Sequence, residues 1–196
     1  MRCDEPDLIH GLSLPGGERV TVRPVCPRDA GVLQGYVRGL SPQSRYNRFF
    51  GPLRELPPSE LDRVIHLEPP NQLGLVAQAH VGGTSTVIGE ARYALSPDRR
   101  ECEFALSVAD DWRGHGLGTL LLTDVESRAR SLGAHRLVGD VLRTNEPMKA
   151  LARKAGFRMG DVPADPKTVG IVKELTLPRT AVPREALGSI GLAHAA

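Results

Sequence analysis

The chain has 196 residues, 40% hydrophobic and 24% charged, with a formal net charge of +2. That length and balance exclude wholesale disorder and leave room for one ordinary domain with tails, not for two comfortable ones. A charge so near zero, with no block of lysine or arginine, gives no ground to expect a nucleic acid or an anionic membrane as partner.

The expected organisation is an N-terminal arm over 1–17, a domain over 18–177, and a Pro/Ala/Gly-rich tail over 178–196. The arm lacks a basic start followed by an apolar run, and apolar stretches stay short of the ~18 residues that a membrane span needs. Cys3, Cys26 and Cys102 are odd in number and scattered, which suits a reducing compartment. A cytoplasmic location is therefore expected.

Alternating Val20 and Val22 predict a strand over 19–25. Pro27 opens a helix to about Arg38, because proline suits a first helical turn. Ser41-Pro42 starts a second helix, with Ser41 as N-cap, that ends before Gly51-Pro52. A third short helix covers 60–67. Leu73–Val81 and Thr86–Leu95 form a hairpin about Gly82-Gly83. Glu101–Val108 is a strand, and a glycine loop leads from it into a helix over 116–132, where Leu117, Leu121, Val125 and Leu132 recur at helical spacing. A strand over 136–142, a helix over 146–155 and a strand over 169–177 complete the order. Strands and helices interleave only in the second half. This predicts an α/β (α+β) fold with a mixed sheet and helices on both faces.

The glycine loop is the most informative segment. Arg113-Gly114-His115-Gly116-Leu117-Gly118 joins a strand directly to a helix. Glycines let a ligand approach the backbone, the first amides of a helix favour a phosphate, and Arg113 can add a charge-assisted hydrogen bond. A plain glycine-rich turn would look the same by glycine spacing alone. A P-loop is excluded because no lysine stands before Thr119. A dinucleotide fingerprint is also rejected. Although Asp140 lies at a suitable distance, Thr119 replaces the third glycine and too little chain follows.

What remains is Arg113-x-x-Gly116-x-Gly118 between strand and helix, with Asn145-Glu-Pro-Met-Lys-Ala-Leu-Ala-Arg-Lys-Ala-Gly-Phe157 further on. These motifs, in this order, resemble the GCN5-related N-acetyltransferase (GNAT) superfamily over about 18–177. The resemblance implies a mostly antiparallel sheet with a splayed central strand pair, and acetyl-CoA lying in the gap. It implies that Leu106, Ser107 and Val108 offer backbone groups to the pantetheine arm. The loop Arg113, Gly114, His115, Gly116, Leu117, Gly118 and Thr119 would hold the pyrophosphate. Asn145 would contact the coenzyme or cap its helix; the two roles are compatible. Glu103, on the strand that would carry the thioester, is the expected general base, with burial raising its pKa. Without the resemblance it reads as a solvated carboxylate. Alternation puts Glu101, Glu103, Ala105 and Ser107 on one face and Cys102, Phe104, Leu106 and Val108 on the other.

Many GNAT enzymes place a tyrosine where this chain has Ala152, so no general acid is assigned there. The stretch Leu40-Ser-Pro-Gln-Ser-Arg-Tyr-Asn-Arg-Phe-Phe-Gly-Pro-Leu-Arg54 looks like the acetyltransferase domain of bacterial Pat-type protein lysine acetyltransferases. In that family the strand glutamate is the base and the late tyrosine is dispensable. That resemblance implies acceptor lysines on proteins such as acyl-CoA synthetases. A small-molecule amine as acceptor, or an acyl-CoA-binding sensor without catalysis, remain alternatives. The six histidines show no metal-ligand spacing, so no metal is expected.

Overall fold

The computed structural model of the chain describes residues 10–13, 19–81, 83–163 and 165–175. The expected tail and most of the arm lie outside these residues. Within them the strands are β1 (His10–Ser13), β2 (Arg19–Pro24), β3 (Gln72–Val81), β4 (Thr84–Leu95), β5 (Glu101–Val108), β6 (Arg136–Leu142), β7 (Arg158–Asp161) and β8 (Thr168–Glu174). The helices are α1 (Ala30–Gly39), α2 (Pro42–Phe49), α3 (Pro58–Ile65), α4 (Leu117–Ser131) and α5 (Glu146–Lys154), with short 3-10 turns at Pro27–Asp29 and Asp110–Trp112.

The strands form one sheet in the order β1-β2-β3-β4-β5-β6-β8-β7. Every neighbouring pair is antiparallel except β5 and β6, which run parallel. The expected mixed, mostly antiparallel sheet is therefore present. Two strands were not anticipated. β1 falls in the segment read as an arm and pairs with β2 from His10↔Val22 to Ser13↔Arg19. β7 is four residues long, with only Met159 partly covered, so it carries no apolar alternation to read; its pairing with β8 makes it a strand.

Alternation along the strands builds a core on each face of the sheet. One core takes Leu75 and Ala77 of β3, Ile88 and Ala91 of β4, and Leu117, Leu121, Leu122 and Val125 of α4. Burying each such leucine or valine contributes about 1.5–3 kcal/mol, which fixes α4 on that side. The other core joins Leu33, Tyr36 and Val37 of α1 and Val64 of α3 to Val76 and Val87 of the sheet.

Local signals set the helix ends. Ser41 Oγ accepts the Ser44 amide at 3.2 Å, Pro42 follows at the first helical position, and α2 closes at Phe50 in the left-handed region. The Arg45 guanidinium donates to the carbonyls of Arg38 and Leu40, tying α2 to the end of α1. Asn145 caps α5, its Oδ1 accepting the Met148 amide at 3.2 Å.

Candidate functional site

The parallel pair is short. β5 meets β6 only at Glu101↔Arg136, Cys102↔Leu137 and Glu103↔Val138. On its other side β5 stays paired with β4 as far as Val108↔Gly89. At Gly139 a β-carbon would stand 3.1 Å from the Phe104 carbonyl oxygen, so a bare backbone is what fits where the strands are last in contact. Past that point they part. The edge of β5 from Phe104 onward that faces β6 then has no strand partner.

A cavity of about 350 Å³ opens there, lined by Leu106, Ser107, Val108, Arg113, Gly114, Gly116, Gly118, Thr119 and Asn145 among others. Nine expected binding residues thus come together. Two others, Leu117 and His115, direct their side chains elsewhere. The Leu117 side chain is 1% exposed in the core, and the exposed His115 ring meets Trp112 edge-on, with centroids 6.4 Å apart. Gly116 turns the chain into α4 with φ +87, a conformation that strains any other common residue. The first helical amide bond is Leu120 N–H to Gly116 O. The amides of Leu117, Gly118 and Thr119 therefore precede the intrahelical ladder, at the positive end of the helix. This arrangement fits a diphosphate, as a donor such as acetyl-CoA requires.

Arg113 is held from the neighbouring helix. Its Nη2 donates to Ser44 Oγ at 2.7 Å, and its Nη1 lies 3.2 Å from Asp110 Oδ1. Asp110 also accepts the Ser41 amide at 2.9 Å, and Ser41 Oγ and Ser44 Oγ lie 3.0 and 2.6 Å from its Oδ1. Partial burial pushes this carboxyl up, but the hydrogen bonds from Ser44 and Ser41 and the Arg113 charge hold it below its ordinary value. The 40–54 stretch is in this way latched to the glycine loop.

A second cavity, of about 510 Å³, adjoins the first; both include Asn47, Arg48, Leu106, Asn145 and Met148 in their walls. Its other walls come from Phe49 and Phe50, from Glu60 and Arg63 of α3, from Arg92, from Glu103, and from Asp140 of β6. The two cavities make one cleft that crosses the place where β5 and β6 separate. Glu103 lies on its wall. It is exposed, because the cleft is open at that point; the burial expected of it is burial beside the coenzyme.

Glu90 was missed from the sequence. It is 4% exposed and shares a face with Ser107, its cross-strand partner. Arg48 Nε approaches Glu90 Oε1 at 2.5 Å and Arg48 Nη2 approaches Oε2 at 3.3 Å. Ser107 Oγ donates to Oε1 at 2.9 Å, and Tyr36 Oη lies 2.9 Å from Ser107 Oγ. Burial raises the Glu90 pKa, but Arg48 and Arg92, with the hydrogen bonds from Arg48 and Ser107, outweigh it and hold the carboxylate charged. Burial and the Glu90 charge together push the Tyr36 hydroxyl well above its ordinary value. The available signal was a pair of charges, Glu90 and Arg92, interrupting the apolar second part of β4, from Val87 to Leu95.

Cys102 is fully buried and its thiol is pushed up to about 12, chiefly by burial, so it is a core residue and no nucleophile. Ala152 is also fully buried and brings no hydroxyl to the cleft. Among the described residues no helix is long and apolar enough to cross a membrane.

Comparison with known proteins agrees with this geometry. The profile of the acetyltransferase (GNAT) family matches residues 41–157. Acetyltransferase PA5475 of Pseudomonas aeruginosa is 30% identical over 145 residues, covering 74% of this chain and 78% of that protein. Among solved structures, the GNAT domain of S. lividans PAT superposes with a TM-score of 0.78 at 27% identity, over 87% of this chain and 99% of that one. A cAMP-binding acyltransferase from Mycobacterium smegmatis shares the fold at 22% identity, with a TM-score of 0.57, over 91% of this chain and 50% of that one.

Proposed function

Given that this chain belongs to the GNAT acetyltransferase family, we propose that it transfers an acetyl group from acetyl-CoA to a lysine side chain of a protein, with both substrates bound at once. The observation that carries the proposal is the single cleft: a donor cavity and an acceptor cavity adjoin at Leu106, Arg48 and Asn145, by the parting of β5 and β6, and Glu103 lies on the acceptor wall. Likeness to the S. lividans PAT domain supports a protein acceptor, as does the placing of Asn47, Arg48, Phe49 and Phe50 on the acceptor wall.

Acetyl-CoA supplies the acyl group and a thiolate leaving group. The chain's own residues do the rest. The amides of Leu117, Gly118 and Thr119, with Arg113 beside them, neutralise the diphosphate. Unpaired backbone groups of Leu106–Val108 align the pantetheine arm, and an amide near Val108 polarises the thioester carbonyl. Asn145, capping α5 at the junction of the cavities, orders that wall. A lysine amine has a pKa of about 10.4, so roughly one in a thousand is neutral at pH 7.4. Glu103, exposed on the acceptor wall, accepts the proton as the amine attacks. A thiol pKa near 8.5 makes the departing thiolate stable enough to take its proton from water, so Ala152 is not a handicap. Ser107 is already committed to Glu90.

A small-molecule amine is the second reading, favoured by one observation: about 510 Å³ is the size of an ordinary small-ligand site. A thiol-release assay with acetyl-CoA, run against acyl-CoA synthetases and an amine panel, tests both. Turnover on a synthetase, with acetylation of one lysine found by mass spectrometry, is the expected result. Coenzyme A binding without thiol release from any acceptor would overturn the transferase reading and leave a sensor.

A further inference from the structure

The acceptor cavity holds a charge that the proposed transfer does not use. Arg92 lines it, with its side chain 20% exposed. Its ion partner among the described residues is Glu90, whose Oε2 is 3.4 Å from Arg92 Nε, too long for a good hydrogen bond. Glu90 is already engaged by Arg48 and Ser107. The adjacent pair, Arg63 and Glu60, closes on itself at 2.5 Å. Three guanidinium groups on this wall therefore face two carboxylates. Burial first, then repulsion from Arg48, pull the Arg92 pKa down to about 10 against the attraction of Glu90. The group stays protonated at neutral pH, as a half-buried cation whose ion partner is shared with Arg48.

The carboxylates lie at the other end of the same cavity. Glu103 pairs with Val138, and Asp140 is two residues further along β6, so both share one face where the strands part. Both are exposed to the cleft. Arg92 pairs with Ala105, which makes Glu103 its diagonal neighbour on that face. Diagonal positions are about 7–8 Å apart, within reach of one short ligand.

We infer that the acceptor carries a carboxylate beside its amine: the ammonium lies toward Glu103 and Asp140, and the carboxylate pairs with Arg92. The amine end of this inference rests on the transferase reading above. Two kinds of acceptor have this chemistry, a lysine flanked by an acidic residue in a polypeptide and a free amino acid with its α-carboxylate. Polyamines and aminoglycosides lack it.

The test measures thiol release by the full chain with blocked Lys-Glu and Lys-Ala peptides, and with free amino acids against their amides. The wild type and Arg92→Gln are compared. One charge-assisted pair predicts a tenfold to hundredfold preference, roughly, for the acidic acceptor, carried by KM, and its collapse to near unity in Arg92→Gln. Arg92→Lys, which keeps the charge without the fork, retains an intermediate preference and covers the case in which the glutamine variant fails to fold. The peptide and amino-acid arms say which source supplies the anion. Equal rates on acidic and neutral acceptors in the wild type, or an undiminished preference in both variants, overturn the inference while the transferase reading stands. If neither these acceptors nor the synthetases above release thiol, the transferase reading falls and binding decides. Calorimetry on the coenzyme-A-loaded wild type then compares Nε-acetyl-Lys-Glu with Nε-acetyl-Lys-Ala, and N-acetylglutamate with its diamide. Tighter binding of the acidic member by about tenfold or more upholds the Arg92 site, and equal binding overturns it.

Discussion

The donor end of the cleft is built around two adjoining segments, 106–108 and 112–119, whose glycines and helix-start amides border the cavity, with α2 and α5 closing its sides. The acceptor end is built of side chains, brought from α2, α3, β4, β5 and β6. The Arg48–Glu90 pair alone spans 42 positions of sequence. A site made of amides depends on local conformation and tolerates changes in side-chain identity. A site made of distant charges depends on the whole fold and on every partner being present. The first arrangement suits a ligand common to a large family, and the second allows the acceptor to differ from one member to the next.

The sharpest test of this division is Glu103→Gln. Turnover should fall by about 100- to 10,000-fold while the affinity for coenzyme A, measured by calorimetry, stays nearly the same. Unchanged turnover would remove Glu103 from its role.

Next in size is the buried charge cluster. Arg48→Ala leaves Glu90 with only Arg92, at 3.4 Å, for a counter-ion, and should cost up to about 3–5 kcal/mol of stability in urea unfolding. The pH dependence has a definite sign. The ordinary value for Glu90 is 4.5 and the folded value is lower. Its stabilising contribution is complete above the ordinary value and is lost as pH falls through the folded one. Glu90→Gln should flatten acid unfolding in that range; a variant with the wild-type acid profile would show that Glu90 does not govern it.

Asp110 joins the two ends, so Asp110→Ala should blur their separation. Releasing Ser41, Ser44 and Arg113 together is expected to raise KM for both acetyl-CoA and acceptor, each by roughly tenfold, the worth of one charge-assisted bond. A rise in one KM alone would mean the latch serves that end only. The smallest effect belongs to Gly116→Ala. A methyl group at φ +87 costs about 1 kcal/mol or slightly more, so KM for acetyl-CoA should rise a few-fold with the acceptor KM unmoved. Equal increases in both would argue that α4 as a whole had shifted.

The same division explains what could be read from the sequence. The 113–119 loop is legible because strand, glycines and helix start are contiguous and each obeys a local rule. The positions of β3–β6 followed from alternation and turn residues. Glu90 and Arg92 escaped notice because nothing local shows that helices distant in sequence, α1 to α3, bring Tyr36, Arg48 and Arg63 up to them. Glu103 was placed on the right face, but the strand pattern does not reveal that β6 diverges just beyond it and leaves the carboxylate open to the cleft. β1 and β7 escaped notice because each is four residues long and is defined by its partner.

Only three residue pairs stitch β5 to β6, so the sheet is nearly two pieces, β1–β5 and β6-β8-β7. A molecule lying in that seam bridges them and acts as a removable strut. Bound at a hundred times its Kd, it adds about 2.7 kcal/mol to the folded state by mass action. Resistance to heat and to proteases would then track the supply of activated acyl groups, coupling the lifetime of the protein to the metabolism that feeds it.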